Sequence, residues 1–405
     1  MLRVKNVAFA FAVLLAMGFS PAALAQISDD VVRIGVLNDQ HSVYSDIAGP
    51  GSVVAAKMAV EDAGGTVLGK PIDIVVADHE NKAELGAAIA RHWFNVDKVD
   101  MAIDFANSGV GLAVEQVARE SNRIIIATAV AASDFTGKAC APTAISWTYS
   151  SYALTTGLAR AVTLKGGDSW FFLTVDYAFG YSLEADATRA VQAAGGHVVG
   201  RVLHPLGTTD YSSYLAQAKA SGAKVIGLAN AGHDMVNTVK QARQLGVGEG
   251  QTVVPLLVFI NDVHSIGLEA AQGLTFLTSF YWDRTPETRA FAQRFFERQK
   301  AMPSMLQASV YSGIRHYLHA IEAAGTDDTD RVMAKMRELP VNDFYVTNGR
   351  IRLDGRLLHD MYLIKVKSPA ESKMPWDYYK VLDAIPGDQA FESLEAGGCP
   401  LGKRS

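Results

Sequence analysis

Residues 31–37 are almost all apolar and are bounded by polar residues. That is the pattern of a strand covered on both faces, which loses the alternation of a half-exposed one. Polar, turn-prone residues 38–51 follow, and residues 52–63 then place Val53, Ala56, Val60 and Ala63 at helical spacing before Gly64 and Gly65 end the run. Strand, polar loop and helix make half of a βαβ unit. Ligands of open α/β sheets sit beyond the carboxyl ends of the strands, so residues 38–51 are the first candidate binding segment.

The same rhythm continues. Residues 71–77, 99–105 and 123–130 read as strands, with helices over 85–94 and 111–120. The pattern pauses over residues 131–148. It resumes with helices over 150–164, 180–194, 211–221 and 234–245, alternating with strands over 170–175, 197–203, 225–229 and 253–260; a strand over 274–280 completes this second set. Strands alternating with helices of this length predict crossover units and parallel sheets, an α/β fold of two facing lobes. In the last third, helices over 286–299, 305–324 and 329–338 are expected to return to the first lobe, and strands over 350–353, 361–366 and 378–382 to finish the second. The lobes are then 26–148 plus 283–342, and 149–282 plus 343–405, with several chain crossings as a hinge.

Arg3 and Lys5 precede an apolar run over residues 7–19, and Ala23, Leu24 and Ala25 offer the small residues of a signal-peptidase site. Residues 1–25 therefore read as a cleavable export signal with Gln26 as the mature N-terminus, too short in its apolar part for a membrane span. Gln26 is not a cysteine, so acylation there is excluded. Loss of Arg3 and Lys5 takes the formal charge from −5 to −7, and no later stretch concentrates basic residues, so nothing points to nucleic acid or anionic lipid. Cys140 and Cys399 are the two cysteines, an even pair that reads as one disulfide in an oxidising compartment. They are too few for a zinc site, and no histidine cluster adds ligands. No metal or cofactor is called for.

The export signal, the opening IGVLNDQHSVYSDIAGPG, the helix AAKMAVEDAGG, the segment IIIATAVAASDFTG and the motif DYAFG before a helix resemble the branched-chain amino acid binding-protein family of ABC transporters, the type I periplasmic solute-binding proteins. The resemblance spans essentially the whole mature chain. It implies two Rossmann-like lobes joined by a multi-strand hinge, closure on a small ligand, a periplasmic monomer, and delivery to ABC permease subunits in the inner membrane.

The resemblance also places candidate ligand contacts. Asn107 and Ser108 follow the third strand and precede a helix, where hydroxyls, backbone N–H groups and the helix dipole hold a carboxylate; a plain helix cap is the competing reading. Ala129, Val130 and Ala131 form the next loop, and Ala131 stands where amino-acid binders of the family usually carry a hydroxyl, leaving backbone donors only. Tyr44 and Ser45 match the first-loop position that covers the ligand. From the second lobe, Tyr177 and Phe179 of DYAFG are placed to cover an apolar body, and Ala231 stands where the family tends to have a ring. Asp262 lies where the family supplies an acid for an ammonium group, with a helix cap as the alternative. His264 reads as structural. Trp147, Tyr149, Tyr281 and Trp282 fall at the expected crossings, as cleft lining or hinge packing.

Two alanines in place of a hydroxyl and a ring widen the pocket, and three aromatic residues can sandwich a flat body. The expected ligand is a small carboxylate with an apolar or aromatic body; a branched-chain or other apolar amino acid is the alternative, with Asp262 as its ammonium partner. A periplasmic sensor serving a membrane receptor fits the same features. Catalytic signatures are absent: there is no G-x-S-x-G, H-E-x-x-H or Walker loop, and Gly246 to Gly250 runs into a strand. A DNA-binding repressor would need a basic helix-turn-helix where the export signal stands.

Overall fold

The first apolar run becomes β1 (Val32–Asn38), buried along nearly its whole length. The computed structural model describes residues 26–403, and the export signal read over residues 1–25 lies outside the described residues. α1 (Gly49–Asp62) starts earlier than apolar spacing indicates, because Pro50 sits in its first turn, where a missing N–H leaves no hydrogen bond unmade. A small hairpin of β2 (Thr66–Val67) and β3 (Lys70–Asp78) follows, then α2 (Ala83–His92), β4 (Met101–Asp104), α3 (Ser108–Ser121), β5 (Ile124–Ala127) and β6 (Ala144–Ser146). These strands form one sheet in the order β2-β3-β1-β4-β5-β6, parallel except for the hairpin. β6 falls in the stretch where the pattern pauses; three residues are too few to display a period. At Gly35 a side chain would meet the Trp93 ring at 2.4 Å, so glycine there lets the indole lie flat on the sheet.

α4 (Ser151–Leu164), β7 (Ser169–Val175), α5 (Ala178–Ala193), β8 (His197–His204), α6 (Ser212–Ala220), β9 (Val225–Ala229), α7 (His233–Gln244) and β10 (Thr252–Pro255) build a second parallel sheet in the order β10-β9-β7-β8. β10 ends at Pro255, short of the expected residue 260. The chain stays buried through Phe259 without a ladder and enters α8 (Ile260–Ile266), so the apolar run reports burial and not strand. After the short α9 (Leu268–Ala271), β11 (Thr275–Thr278) does not extend the parallel set as expected. It pairs antiparallel with β14 (Met361–Val366), which pairs in turn with β15 (Tyr379–Ile385).

α10 (Pro286–Gln299), α11 (Met305–Ala324) and α12 (Thr329–Glu338) lie between, followed by the two-residue strands β12 (Arg350–Ile351) and β13 (Leu357–Leu358). α11 packs along α1 and α12 along α11, so this helical stretch returns to the first sheet. Its N-terminus supports the first loop from below. The Ser304 hydroxyl donates to the Ile47 carbonyl at 2.5 Å, and the Gln307 amide donates to the Ala48 and Asp46 carbonyls at 3.1 and 3.3 Å. Gly51 admits the Gln307 side chain, which a Cβ there would meet at 2.2 Å. Cys140, between β5 and β6, is disulfide-bonded to Cys399 with Cα atoms 5.8 Å apart.

On the buried side of α3, Glu115 is 1 % exposed and neither carboxyl oxygen makes a well-formed hydrogen bond. Burial pushes its carboxyl up to about 9, against the pull of the Arg119 charge and the Ala141 amide. The folded protein thus keeps this acid protonated while the unfolded chain ionises it above the ordinary value. Its contribution is most favourable below about pH 4.5 and declines as pH rises toward 9, by up to about 1.4 kcal/mol per pH unit. Glu115→Gln, which cannot ionise, is expected to raise the melting temperature by several degrees at pH 8 and to match the parent at pH 4; calorimetry at the two pH values checks this.

Candidate functional site: a cavity between the two sheets

The loop after β1 is organised by one carboxylate. Asp39 is fully buried and accepts from the Ser42 N–H at 2.8 Å, the Tyr44 N–H at 2.8 Å, the Ser42 hydroxyl and the Asn81 amide at 2.8 Å. Burial works to raise its pKa, but the donors of Tyr44, Asn81 and Ser42 outweigh it and hold the carboxyl below the usual range. The result is a fixed place for the Tyr44 ring.

At the end of β4, Asp104 and Phe105 have φ of 98° and 63°, a left-handed excursion that non-glycine residues adopt only when the surroundings hold them there. Asp104 is locked by the Thr128 hydroxyl at 2.6 Å and the Asn38 amide at 2.8 Å, and its backbone carbonyl accepts from the Thr128 and Ala129 N–H groups. The excursion delivers Asn107 to the N-cap of α3, where its side chain accepts from the Gly109 and Val110 N–H groups at 2.9 and 3.2 Å. Ser108 is the first helical residue. Its hydroxyl oxygen accepts from the Ala131 and Ala132 N–H groups at 3.2 and 3.3 Å, so hydroxyl, two loop amides and a helix N-terminus converge.

The second sheet supplies the opposite wall. Tyr177 stands at the N-cap position of α5 and Phe179 lies in its first turn, with ring centroids 5.9 Å apart. The Tyr177 hydroxyl meets the Tyr44 hydroxyl at 2.6 Å across the gap. Burial pushes both phenols well above their ordinary pKa, so both stay protonated. Ala231 closes the side near Tyr44, and Tyr149, at a chain crossing, packs toward Phe259.

Tyr44, Asn107, Ser108, Ala129, Tyr177, Phe179 and Ala231 all line one cavity of ≈ 20 Å³, together with Ile47, Ala106, Tyr149, Leu257, Phe259 and Leu306. No charged side chain lies among these residues. The other candidates sit outside the lining. The Ser45 hydroxyl turns back to the Ser42 carbonyl at 2.8 Å. Val130 packs behind α3 against Gly111, and Ala131 acts through its backbone N–H on Ser108. Asp262, fully buried, accepts from the Phe259 N–H at 2.9 Å as the cap of α8; burial pushes its carboxyl up to about 7. His264 stacks on Trp376 at 4.0 Å and bonds to the Tyr378 hydroxyl at 2.8 Å. Trp147 bonds to Ser312, Tyr281 to Asp377 and Trp282 to the Trp376 carbonyl, so these three pack the crossings.

Sequence reasoning did not single out Ile47, Ala106, Leu257, Phe259 or Leu306 as lining. The loop positions after strands could have drawn attention to Ala106, Leu257 and Phe259. Leu306 carried no local signal, because its placement depends on α11 returning to the first sheet.

The chain matches the periplasmic binding protein family over residues 31–372. Among solved structures, a periplasmic binding protein from Burkholderia mallei is 47% identical and superposes with a TM-score of 0.90, covering 92% of this chain and 99% of that one. A branched chain amino acid ABC transporter periplasmic ligand-binding protein from Burkholderia xenovorans is 39% identical, with a TM-score of 0.80 over 91% of this chain and 99% of that one. A solute-binding protein of an ABC transporter from R. palustris, in complex with benzoate, shares the fold at 18% identity, with a TM-score of 0.81 over 91% and 99% of the two chains. Among the described residues, no helix is long and apolar enough to cross a membrane. The chain belongs to the periplasmic binding protein family, as a solute-binding protein of the ABC-transporter kind and not an enzyme.

Proposed function

We propose that this cavity captures a small carboxylate with an aromatic or apolar body, and that the protein hands it to the permease subunits of an ABC importer. The observation that carries this reading is the uncharged lining. Three tyrosines, Phe179, Phe259 and Ser108 surround the cavity, while Asp262 is engaged with the Phe259 N–H. The ammonium of an amino acid would be buried without an anion, at a cost of several kcal/mol. A carboxylate alone would find the Ser108 hydroxyl and the amino end of α3, and flat aromatic walls suit a flat body. The benzoate complex of the R. palustris protein makes such a ligand reasonable for this fold.

A cavity of ≈ 20 Å³ has room for about one water, so a benzoate-sized ligand enters only if the two units part. We assign the moving lobes to residues 26–148 plus 283–342 and 149–282 plus 343–405, with the crossings at Trp147 to Tyr149 and Tyr281 to Trp282 as the hinge. Closure on the ligand then presents the permease with a distinct shape. A mature chain starting at Gln26 and acting as a monomer in the periplasm completes the reading.

The alternative, a branched-chain or other apolar amino acid, is favoured by the name of the Burkholderia xenovorans relative. A thermal-shift screen of refolded, ligand-stripped protein separates the two. A ligand at a hundred times its Kd adds about 2.7 kcal/mol to the folded state. Benzoate or 4-hydroxybenzoate is expected to raise the melting temperature by several degrees and leucine not at all; a shift with leucine alone overturns the proposal.

A further inference from the structure

Beside the cavity, the two units also meet at the rim. His233, the first residue of α7, places Nε2 2.9 Å from the Asp46 carboxylate in the loop before α1. Its backbone N–H donates to the Val43 carbonyl at 3.1 Å. Gly232, with φ of 60°, permits this approach, since a Cβ there would lie 2.5 Å from the Val43 oxygen. Asp46 is held from behind by Gln307 of α11 on its carbonyl. Both side chains stay open to solvent, at 45 % and 57 %, so protons reach them freely.

We infer that Asp46 and His233 are positioning residues that latch the cleft shut when His233 is protonated, so that ligand retention follows pH. The inference rests on the proposed closure of the lobes around a ligand. The geometry gives the coupling its sign. His233 stands at the positive end of the α7 dipole, which opposes a charge on the imidazole. In the closed form the Asp46 carboxylate outweighs that opposition, and Asp39 from the same loop adds negative charge; Asp262 of α8 and Asp234 next along α7, whose carboxyls burial pushes up to about 7 and about 6, join them only as pH rises through those values. The hydrogen bond to Asp46 therefore raises the His233 pKa despite partial burial, and lowers that of Asp46 in return. Opening removes Asp46 and leaves the dipole, so the pKa drops. A group whose pKa is higher in the closed state favours closure below its open-state pKa, near 6.5 or lower, and the advantage is lost as pH rises through the closed-state value.

An exposed pair of this kind contributes up to about a five-fold change in affinity. Calorimetric titration of the mature protein with 4-hydroxybenzoate is expected to give a dissociation constant two- to five-fold lower at pH 5.5 than at pH 8, and the same constant at both pH values for His233→Gln and Asp46→Asn. Small-angle scattering of the ligand-free protein supplies a second readout: the parent should be more compact at pH 5.5 than at pH 8, and His233→Gln equally extended at both. If no aromatic acid binds, the proposed ligand class fails while scattering still decides the latch. A parent whose scattering does not change with pH, or a variant that keeps the parent's pH profile, overturns it.

Discussion

Replacing both Cys140 and Cys399 by serine is expected to lower the melting temperature by roughly 5–10 °C and to leave ligand affinity unchanged. The bridge spans 259 residues of sequence, so in the unfolded chain it removes the freedom of a very long loop. Disulfides typically contribute about 2–4 kcal/mol, and each kcal/mol moves the melting temperature of a unit of roughly 150–250 residues, the size of each proposed lobe, by about 2–4 °C. The native tail has other attachments that limit the loss. The Phe391 ring lies 4.8 Å from the Arg356 guanidinium, and Arg352 donates to the Glu392 carbonyl at 2.8 Å. Both cysteines are buried, at 3 % and 2 %, so the serine variant measures the contribution more directly than mild reduction of the native protein, which reaches the sulfurs slowly. Neither cysteine lines the cavity, hence the unchanged affinity. A melting temperature equal to the parent's would mean the bridge constrains nothing that the tail contacts do not already hold.

Much of this fold is legible in the chain because its strands are buried on both faces and its helices carry clear ends. α10, α11 and α12 fall where the sequence places them: Thr285 with Pro286, Ser304 and Asp328 supply N-terminal caps, and Gly325 ends the long helix in a left-handed turn. What resists reading is pairing over distance. Nothing near residues 274–280 says that the partner of β11 is β14, far along the chain, and so its sequence points to the nearer parallel set. The site divides along the same line. Tyr44, Asn107, Ser108, Tyr177 and Phe179 stand in loops after strands, where the fold class itself directs attention. Leu306 reaches the cavity only because a helix from the last third comes back. Asp262 is a case of one residue with two chemical uses; the sequence offers both, and the 2.9 Å bond to the Phe259 N–H decides which one the folded chain makes.

An acid in a polar loop carries the pattern of a solvated residue, and yet Asp39 is the residue whose loss should cost the site most. Asp39→Ala is expected to destabilise the protein by about 3 kcal/mol and to weaken ligand binding at least ten-fold. Alanine leaves the Ser42 and Tyr44 N–H groups without their acceptor and the Asn81 amide with the Ser42 hydroxyl alone. The Tyr44 N–H is buried, and a buried donor left unpaired costs about 1–3 kcal/mol; relaxation of the loop lets the part-buried Ser42 and Asn81 donors regain water, so they add less. That same relaxation frees Tyr44, whose hydroxyl meets Tyr177 across the cavity, so affinity falls together with stability. pH provides the control. The Asp39 carboxyl is held below its ordinary value in the fold, so its contribution is complete above about pH 4 and is lost as pH falls through the depressed value. Asp39→Asn, which keeps an acceptor but no charge, should be less stable than the parent at pH 7 and approach it at pH 3, as urea unfolding at the two pH values would record. A gap between parent and Asn variant that stays constant from pH 7 to pH 3 would mean that shape, and not the charge of the carboxylate, holds the loop that carries Tyr44.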